Sequence, residues 1–207
     1  MTSPSFSIFN FQFSIPMSHR KLLNEELNRL STEEYKEAAK LPIVVVLDNV
    51  RSLNNIGSVF RTSDAFRLLK IYLCGITATP PHREIHKTAL GAEESVDWAY
   101  FEETTDAVQE LKNEGFTILS VEQVENSISL ETFTINPEQK YAFVFGNEVK
   151  GVQQEVIDLS DNCIEIPQFG TKHSFNISVT AGIVLWQALH PFIASTIFTA
   201  STASRTS

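Results

Sequence analysis

At 207 residues, the chain has room for one domain with short extensions. Its 43% hydrophobic and 20% charged residues match an ordinary globular protein, and no apolar stretch approaches the ~20 residues that would exclude it from the non-membrane class. The net charge of −9 argues at first against a nucleic-acid partner, but the charge is unevenly distributed. Residues 1–90 hold eleven Lys/Arg against eight Asp/Glu, a balance of +3, whereas residues 91–207 hold five against seventeen, a balance of −12. A basic surface must therefore draw mainly on Arg20, Lys21, Arg51, Arg61, Arg67, Arg83 and Lys87, which is compatible with a phosphate-contacting face on an acidic body.

In chain order, residues 1–16 are rich in Ser and Phe and carry no charge. They lack the basic start of a secretory signal and are expected to be disordered or to precede a true start at Met17. Residues 17–40 read as a helical extension, with Leu22, Leu23, Leu27 and Leu30 at helical spacing and capping residues at Ser31-Thr32-Glu33-Glu34. Pro42 ends this stretch, and 43–48 (IVVVLD) is a continuous branched run, hence a buried strand. A helix over 55–67, a strand over 70–76, a helix over 84–90, a strand over 97–102 and a helix over 104–114 follow. Strands at 117–123 and 141–146, a helix at 152–159, a strand at 163–166 and a helix at 174–190 complete the series. The Ser/Thr-rich tail, 193–207, is expected to be disordered. Continuous apolar strands alternating with helices predict an α/β fold, a parallel sheet with helices on both faces. Cys74 and Cys163 lie in apolar runs and are not spaced as zinc ligands, so they read as buried reduced thiols of a cytoplasmic protein.

Three segments are polar or glycine-bearing where this rhythm needs only a loop. The first runs from Asn49 to Thr62: Asn55 can cap a helix, Gly57 permits close backbone approach, and Arg61 can present a bidentate fork to a phosphate. The second is Gly146-Asn147-Glu148-Val149-Lys150-Gly151, straight after a strand, where α/β proteins bind ligands. It is neither a P-loop nor a dinucleotide fingerprint. The third, Ile166 to Val179, places Ser174, Asn176 and Ser178 at a helix entrance. Taken singly, each also reads as a capped surface helix or a tight turn. His82 and His86 stand four apart, but no third ligand is evident and no metal is expected. His173 reads as packed or exposed, with contact to a ligand as the alternative.

Together the segments follow the patterns N-x-G-x-x-x-R, G-x-E-x-x-G and I-P-x-x-G-x-x-x-S-x-N-x-S-V, in order. This trio resembles the SpoU/TrmH branch of the SPOUT methyltransferases over roughly residues 41–190. The resemblance implies a methyltransferase domain over 41–192 with a C-terminal deep trefoil knot, which strand alternation could not reveal. It implies S-adenosyl-L-methionine as cofactor, a homodimer, and methylation of a ribose 2′-OH in tRNA or rRNA. A SPOUT-fold RNA-binding protein that has lost catalysis is the alternative. Carried over by position, Arg61, Asn55, Glu148 and Asn176 would be catalytic, and Ser120, Val121, Gly146, Ile166, Ser174 and Phe175 would contact the cofactor.

Overall fold

In the computed structural model, which describes residues 19–193, the branched run becomes strand β1, Leu41–Asp48. Ile43, Val45 and Leu47 face one apolar cluster, while Val44 and Val46 face another. Successive strand side chains point to opposite faces, so both faces of this strand must be covered. Helix α1 (Thr32–Glu37) precedes it, with Ser31 and Glu34 forming the expected reciprocal cap. After β1 come α2 (Leu53–Ala65), β2 (Leu68–Cys74), α3 (Arg83–Ala89), α4 (Ala92–Ser95), β3 (Trp98–Phe101) and α5 (Thr104–Asn113). Then follow β4 (Phe116–Val121), β5 (Ile128–Ser129), β6 (Lys140–Phe145), α6 (Gln154–Leu159), β7 (Asn162–Glu165) and α7 (Ile177–Ile193).

All pairings are parallel, in the order β3-β2-β1-β6-β4-β7-β5. Residues of α2, α3, α4 and α7 build the core on one face, and those of α5 and α6 build it on the other. The chain runs outward from β1 through β2 to β3, then returns to build the other half. The direction of winding therefore reverses between β1 and β6. Such a switch point leaves a crevice beyond the strand carboxyl ends. On the far side, β7 lies between β4 and β5 although it follows both in the chain.

The elements differ from expectation at four places. Residues 17–30 were expected to be helical, yet within 19–30 there is only a 3-10 turn at Asn24–Leu27. Leu22, Leu23 and Leu30 are exposed, and a helix this short is marginal without a packed apolar face. Glu26 instead pairs with Arg20 at 2.7 Å and accepts from the Leu23 N–H at 2.6 Å. The four-residue α4 and two-residue β5 are too short for periodicity to reveal. Helix α7 continues past Pro191 to Ile193 because Phe192 is buried in the core. Cys74 is buried and its thiol is pushed up to about 12 by burial, whereas Cys163 is only half-buried. The expectations for residues 1–16, and for the tail beyond Ile193, lie outside the described residues. By its contacts the chain divides at Leu30, and nearly all of the architecture belongs to the unit that starts at Ser31. No helix among the described residues is long and apolar enough to cross a membrane.

Candidate active site

The loop after β1 is shaped by its own polar side chains. Asn49 takes a left-handed φ of 56°, and its amide oxygen accepts from the Ile76 N–H at 3.1 Å. Thr77 is buried; its hydroxyl donates to the Leu47 carbonyl at 3.1 Å and accepts from the Val50 N–H at 2.9 Å. So held, the loop aims the N–H groups of Arg51 and Ser52 at the Glu148 carboxylate, 3.3 and 3.2 Å away. Ser52, not Asn55, caps α2, its hydroxyl accepting from the Asn55 N–H at 3.3 Å. Asn55 sits one turn inside the helix with its side chain turned inward.

That side chain joins all three segments. Asn55 Nδ2 donates to Glu148 Oε1 at 3.0 Å, and Asn176 Nδ2 donates to Asn55 Oδ1 at 3.0 Å. Asn176 Oδ1 accepts from the Ser178 N–H at 2.9 Å and from its hydroxyl at 2.6 Å. The polarity is dictated from one end: a carboxylate only accepts, so Asn55 must turn its NH₂ to Glu148 and its oxygen to Asn176. Burial of Glu148 would raise its pKa, but hydrogen bonds from its own backbone, from Asn55 and from the Arg51 and Ser52 N–H groups outweigh that and hold it below the usual carboxylate value. A carboxylate depressed on folding stabilises the protein above its unfolded pKa, ~4.3 for Glu, and loses that contribution as pH falls through the folded value. The melting-temperature gap between wild type and Glu148→Gln should therefore be full at neutral pH and close below about pH 4. A gap independent of pH would show that the ionised form of Glu148 contributes nothing.

The second segment closes on itself. Asn147 and Gly151 exchange backbone hydrogen bonds at 3.1 and 3.0 Å, and Asn147 Oδ1 accepts from the Val149 and Lys150 N–H groups at 2.9 and 2.8 Å. A Cβ at Gly146 would collide with the Gly151–Val152 backbone. Its missing side chain thus serves the closed turn, while the residue also lines the cavity described below. Gly57 does give close approach, against the α3 backbone at Ile85 and the Thr88 side chain.

Beside this relay opens a cavity of about 570 Å³ at the carboxyl ends of β4, β6 and β7. Val121, Gly146, Ile166, Ser174 and Phe175 line it, as do Glu148, Asn176 and His173. Asn55 stands behind Glu148 and Asn176. Ser120 does not line the cavity: it is fully buried, its hydroxyl 2.8 Å from that of Ser160. Arg61 is also elsewhere. It is exposed in a groove with Ser58, Thr62 and Lys87. Six residues along a helix is a turn of about 240° and a rise of about 9 Å, so Arg61 and Asn55 leave α2 on different sides. His82 caps α3 by accepting from the Glu84 N–H at 3.1 Å, and His86 pairs with Glu93 at 2.6 Å. No cluster of potential metal ligands occurs among the described residues.

Two carboxylates escaped the sequence reading. Glu122 lines the cavity and accepts from the Val152 N–H at 3.0 Å. Asp48 is fully buried at the end of β1. Its oxygens accept from the Thr104 hydroxyl at 2.7 Å, Asn49 Nδ2 at 2.9 Å, and both the N–H and Nε2 of Gln153 at 2.8 Å. The signal was an acid closing an otherwise apolar strand.

A doubly covered parallel sheet with a ligand-sized cavity beyond its strand ends, edged by a relay of Glu and two Asn, defines a ligand-binding α/β domain. Residues 42–186 match the SpoU rRNA Methylase family, and the chain belongs to that family. A tRNA (guanosine(18)-2'-O)-methyltransferase of Aquifex aeolicus is 30% identical over 173 residues, covering 81% of this chain and 77% of the relative. The 23S rRNA (guanosine-2'-O-)-methyltransferase RlmB of Neisseria meningitidis is 29% identical over 144 residues, 70% of this chain and 56% of the relative. The fold matches the crystal structure of the A. aeolicus TrmH/SpoU tRNA modifying enzyme with a TM-score of 0.70 at 24% identity, covering 84% of this chain and 85% of that one. It also matches the AdoMet-bound rRNA methyltransferase of Sinorhizobium meliloti, with a TM-score of 0.69 at 24% identity over 76% of this chain and 62% of that one.

Proposed function

We infer that this protein is an RNA 2′-O-methyltransferase using S-adenosyl-L-methionine. The observation that carries the reading is the Glu148–Asn55–Asn176 relay, which unites the three family segments at the edge of one cavity. The cavity's residues fit the donor. Its volume is within the range of small-molecule sites. Val121, Ile166 and Phe175 offer apolar surface, and Glu122, Glu148 and Glu165 set three carboxylates against Lys150 as the one Lys or Arg in the lining. That balance suits a ligand bearing a sulfonium and an ammonium.

The bound donor supplies an electrophilic methyl group. The chain must then hold a ribose hydroxyl in line and stabilise its oxygen as the proton leaves. A guanidinium is too weak an acid to serve as base at neutral pH, so Arg61 acts as an electrostatic clamp on a substrate phosphate and on the developing alkoxide. Glu148 and Asn176, locked through Asn55, position the ribose; alignment of this kind lowers a barrier by several kcal/mol. Calorimetry with S-adenosylhomocysteine and labelled-methyl transfer to RNA together test the reading: an RNA-binding module without a cofactor site gives no heat, and a protein that binds the cofactor but transfers no methyl has lost catalysis. Methyl-site mapping in RNA from a deletion strain separates tRNA from rRNA as substrate.

Arg61 lines a different groove from the cavity that Glu148 lines, and the two make no hydrogen bond or ion pair within the chain. A second copy resolves this, and the reading includes a homodimer. Supporting it, α7 exposes Val179, Ile183, Trp186 and Ile193 along one stripe, and a contiguous apolar face of this kind marks an interaction surface. The protein should sediment at about twice 23.2 kDa, and Ile183→Glu with Trp186→Glu should shift it to a monomer without methyl transfer. A fully active monomer is incompatible with a shared site. The insertion of β7 between β4 and β5 supports the knotted path, and a buried, inert Cys74 fits a cytoplasmic compartment.

A further inference from the structure

The segment between the third motif's Ile-Pro and its helix holds the most exposed large apolar side chain described, Phe169, at 98% exposure. Gln168 just before it and His173 four residues after it line the cavity, so Phe169 lies in a loop that borders the cavity without forming part of its wall. Among the described residues, 167–173 makes a single hydrogen bond, from Gln123 Nε2 to the His173 carbonyl at 2.9 Å. An isolated exposed Phe is unremarkable in itself. Its electrostatic setting is what distinguishes this one.

The acidic half of the chain has only five Lys/Arg. Lys112 is taken by the Leu159 carbonyl and Asp161. Lys140 is taken by the Glu114 carbonyl and the Phe116 ring, and Arg205 lies outside the described residues. The other two, Lys150 and Lys172, have no side-chain partner among the described residues. Lys172 follows Phe169 by three residues in the same loop, and Lys150 lines the same cavity as Gln168 and His173 of that loop. In a half-chain with seventeen acids and five cations, the two lysines without a side-chain partner among the described residues thus belong to the cavity lining and to the loop that carries Phe169. We propose that Phe169 is a stacking platform for an unpaired base of the RNA substrate, with Lys172 and Lys150 meeting the adjoining phosphates. Aromatic stacking with cations along the backbone is how proteins hold single-stranded RNA. The proposal rests on the RNA-methyltransferase reading and adds the contact that delivers the strand to the site.

Binding to an oligoadenylate and to a fully paired RNA hairpin tests it on the full chain. Phe169→Ala should weaken oligoadenylate binding roughly 5- to 150-fold, the span of one stacked base, and change hairpin binding far less. Phe169→Tyr should restore it. Phe169→Trp should show emission quenched by oligoadenylate beyond any change in the wild type. Lys172→Gln should flatten the log–log salt dependence by about 0.7, one single-strand phosphate. S-adenosylhomocysteine affinity should be unchanged in Phe169→Ala. Equal oligoadenylate affinity in Phe169→Ala overturns the proposal. So does a parallel loss of S-adenosylhomocysteine affinity, which would make Phe169 part of the cofactor site, or a changed sedimentation coefficient, which would make it a contact between copies. Methyl transfer by the wild type is measured separately. If it is absent while Phe169→Ala still weakens strand binding, the enzymatic reading fails and the stacking surface stands.

Discussion

Replacing Arg61 with alanine should abolish methyl transfer to RNA while leaving S-adenosylhomocysteine binding and the melting temperature at wild-type levels. The side chain is exposed, makes no ion pair or hydrogen bond among the described residues, and lines a groove that shares no residue with the large cavity. Its removal therefore empties no core and opens no wall of the cofactor site. On the proposed mechanism, what is lost is the cation that meets the charge developing in the transition state. That loss is typically ~3–4 kcal/mol, or roughly a hundredfold to a thousandfold in rate. Arg61→Lys should recover little, because a point charge does not reproduce a planar fork. Cofactor titration and labelled-methyl transfer, run on the same preparations, separate the two effects. Wild-type transfer by Arg61→Ala would remove Arg61 from the mechanism.

Asp48→Asn should have the opposite signature, a large loss of stability together with weakened cofactor binding. All four groups around this buried carboxylate are donors. An amide in its place must turn its own NH₂ toward at least one of them. The change removes a hydrogen bond to a charged acceptor and strands a buried donor, together about 3–5 kcal/mol. For a domain of this size that is on the order of 10 °C in melting temperature. The consequence reaches the site because Asp48 bonds Asn49 on one side and Gln153 on the other, and so fixes the loops that carry Arg51, Ser52 and Glu148. A variant melting within about 1 °C of wild type, with normal S-adenosylhomocysteine affinity, would show that the loops hold their shape without it.

These contrasting signatures follow from how the two residues are encoded. Arg61 was legible in the sequence because it stands at a fixed distance from Asn55 and Gly57, within a pattern specific to one family. Asp48 was not. A single acid after IVVVL carries no periodicity, and its partners Thr104 and Gln153 lie 56 and 105 residues away. The assumed cap at Asn55 was a local reading displaced by a tertiary partner, and the tertiary fold adds a second demand on Gly146, which also lines the cavity. Ser52 takes the cap because Glu148 claims the Asn55 side chain, and Gly146 is needed bare because Gly151 folds back on it.

By itself the sequence determined the parallel α/β class, the order of the main elements, the reciprocal cap at Ser31 and Glu34, and the three polar segments at strand ends. All of these rest on spacings of a few residues, where helix and strand periods leave a direct imprint. Only the tertiary structure decided that β6 lies against β1, and hence that Glu148 and Asn176 meet Asn55 from 93 and 121 residues away. The same holds for the direction in which Arg61 leaves its helix relative to the cavity, for the failure of residues 19–30 to hold a helix, and for the exposure of Phe169 in the loop that borders the cavity. Strand order is set by which apolar faces find each other across the whole chain, and no local pattern records it.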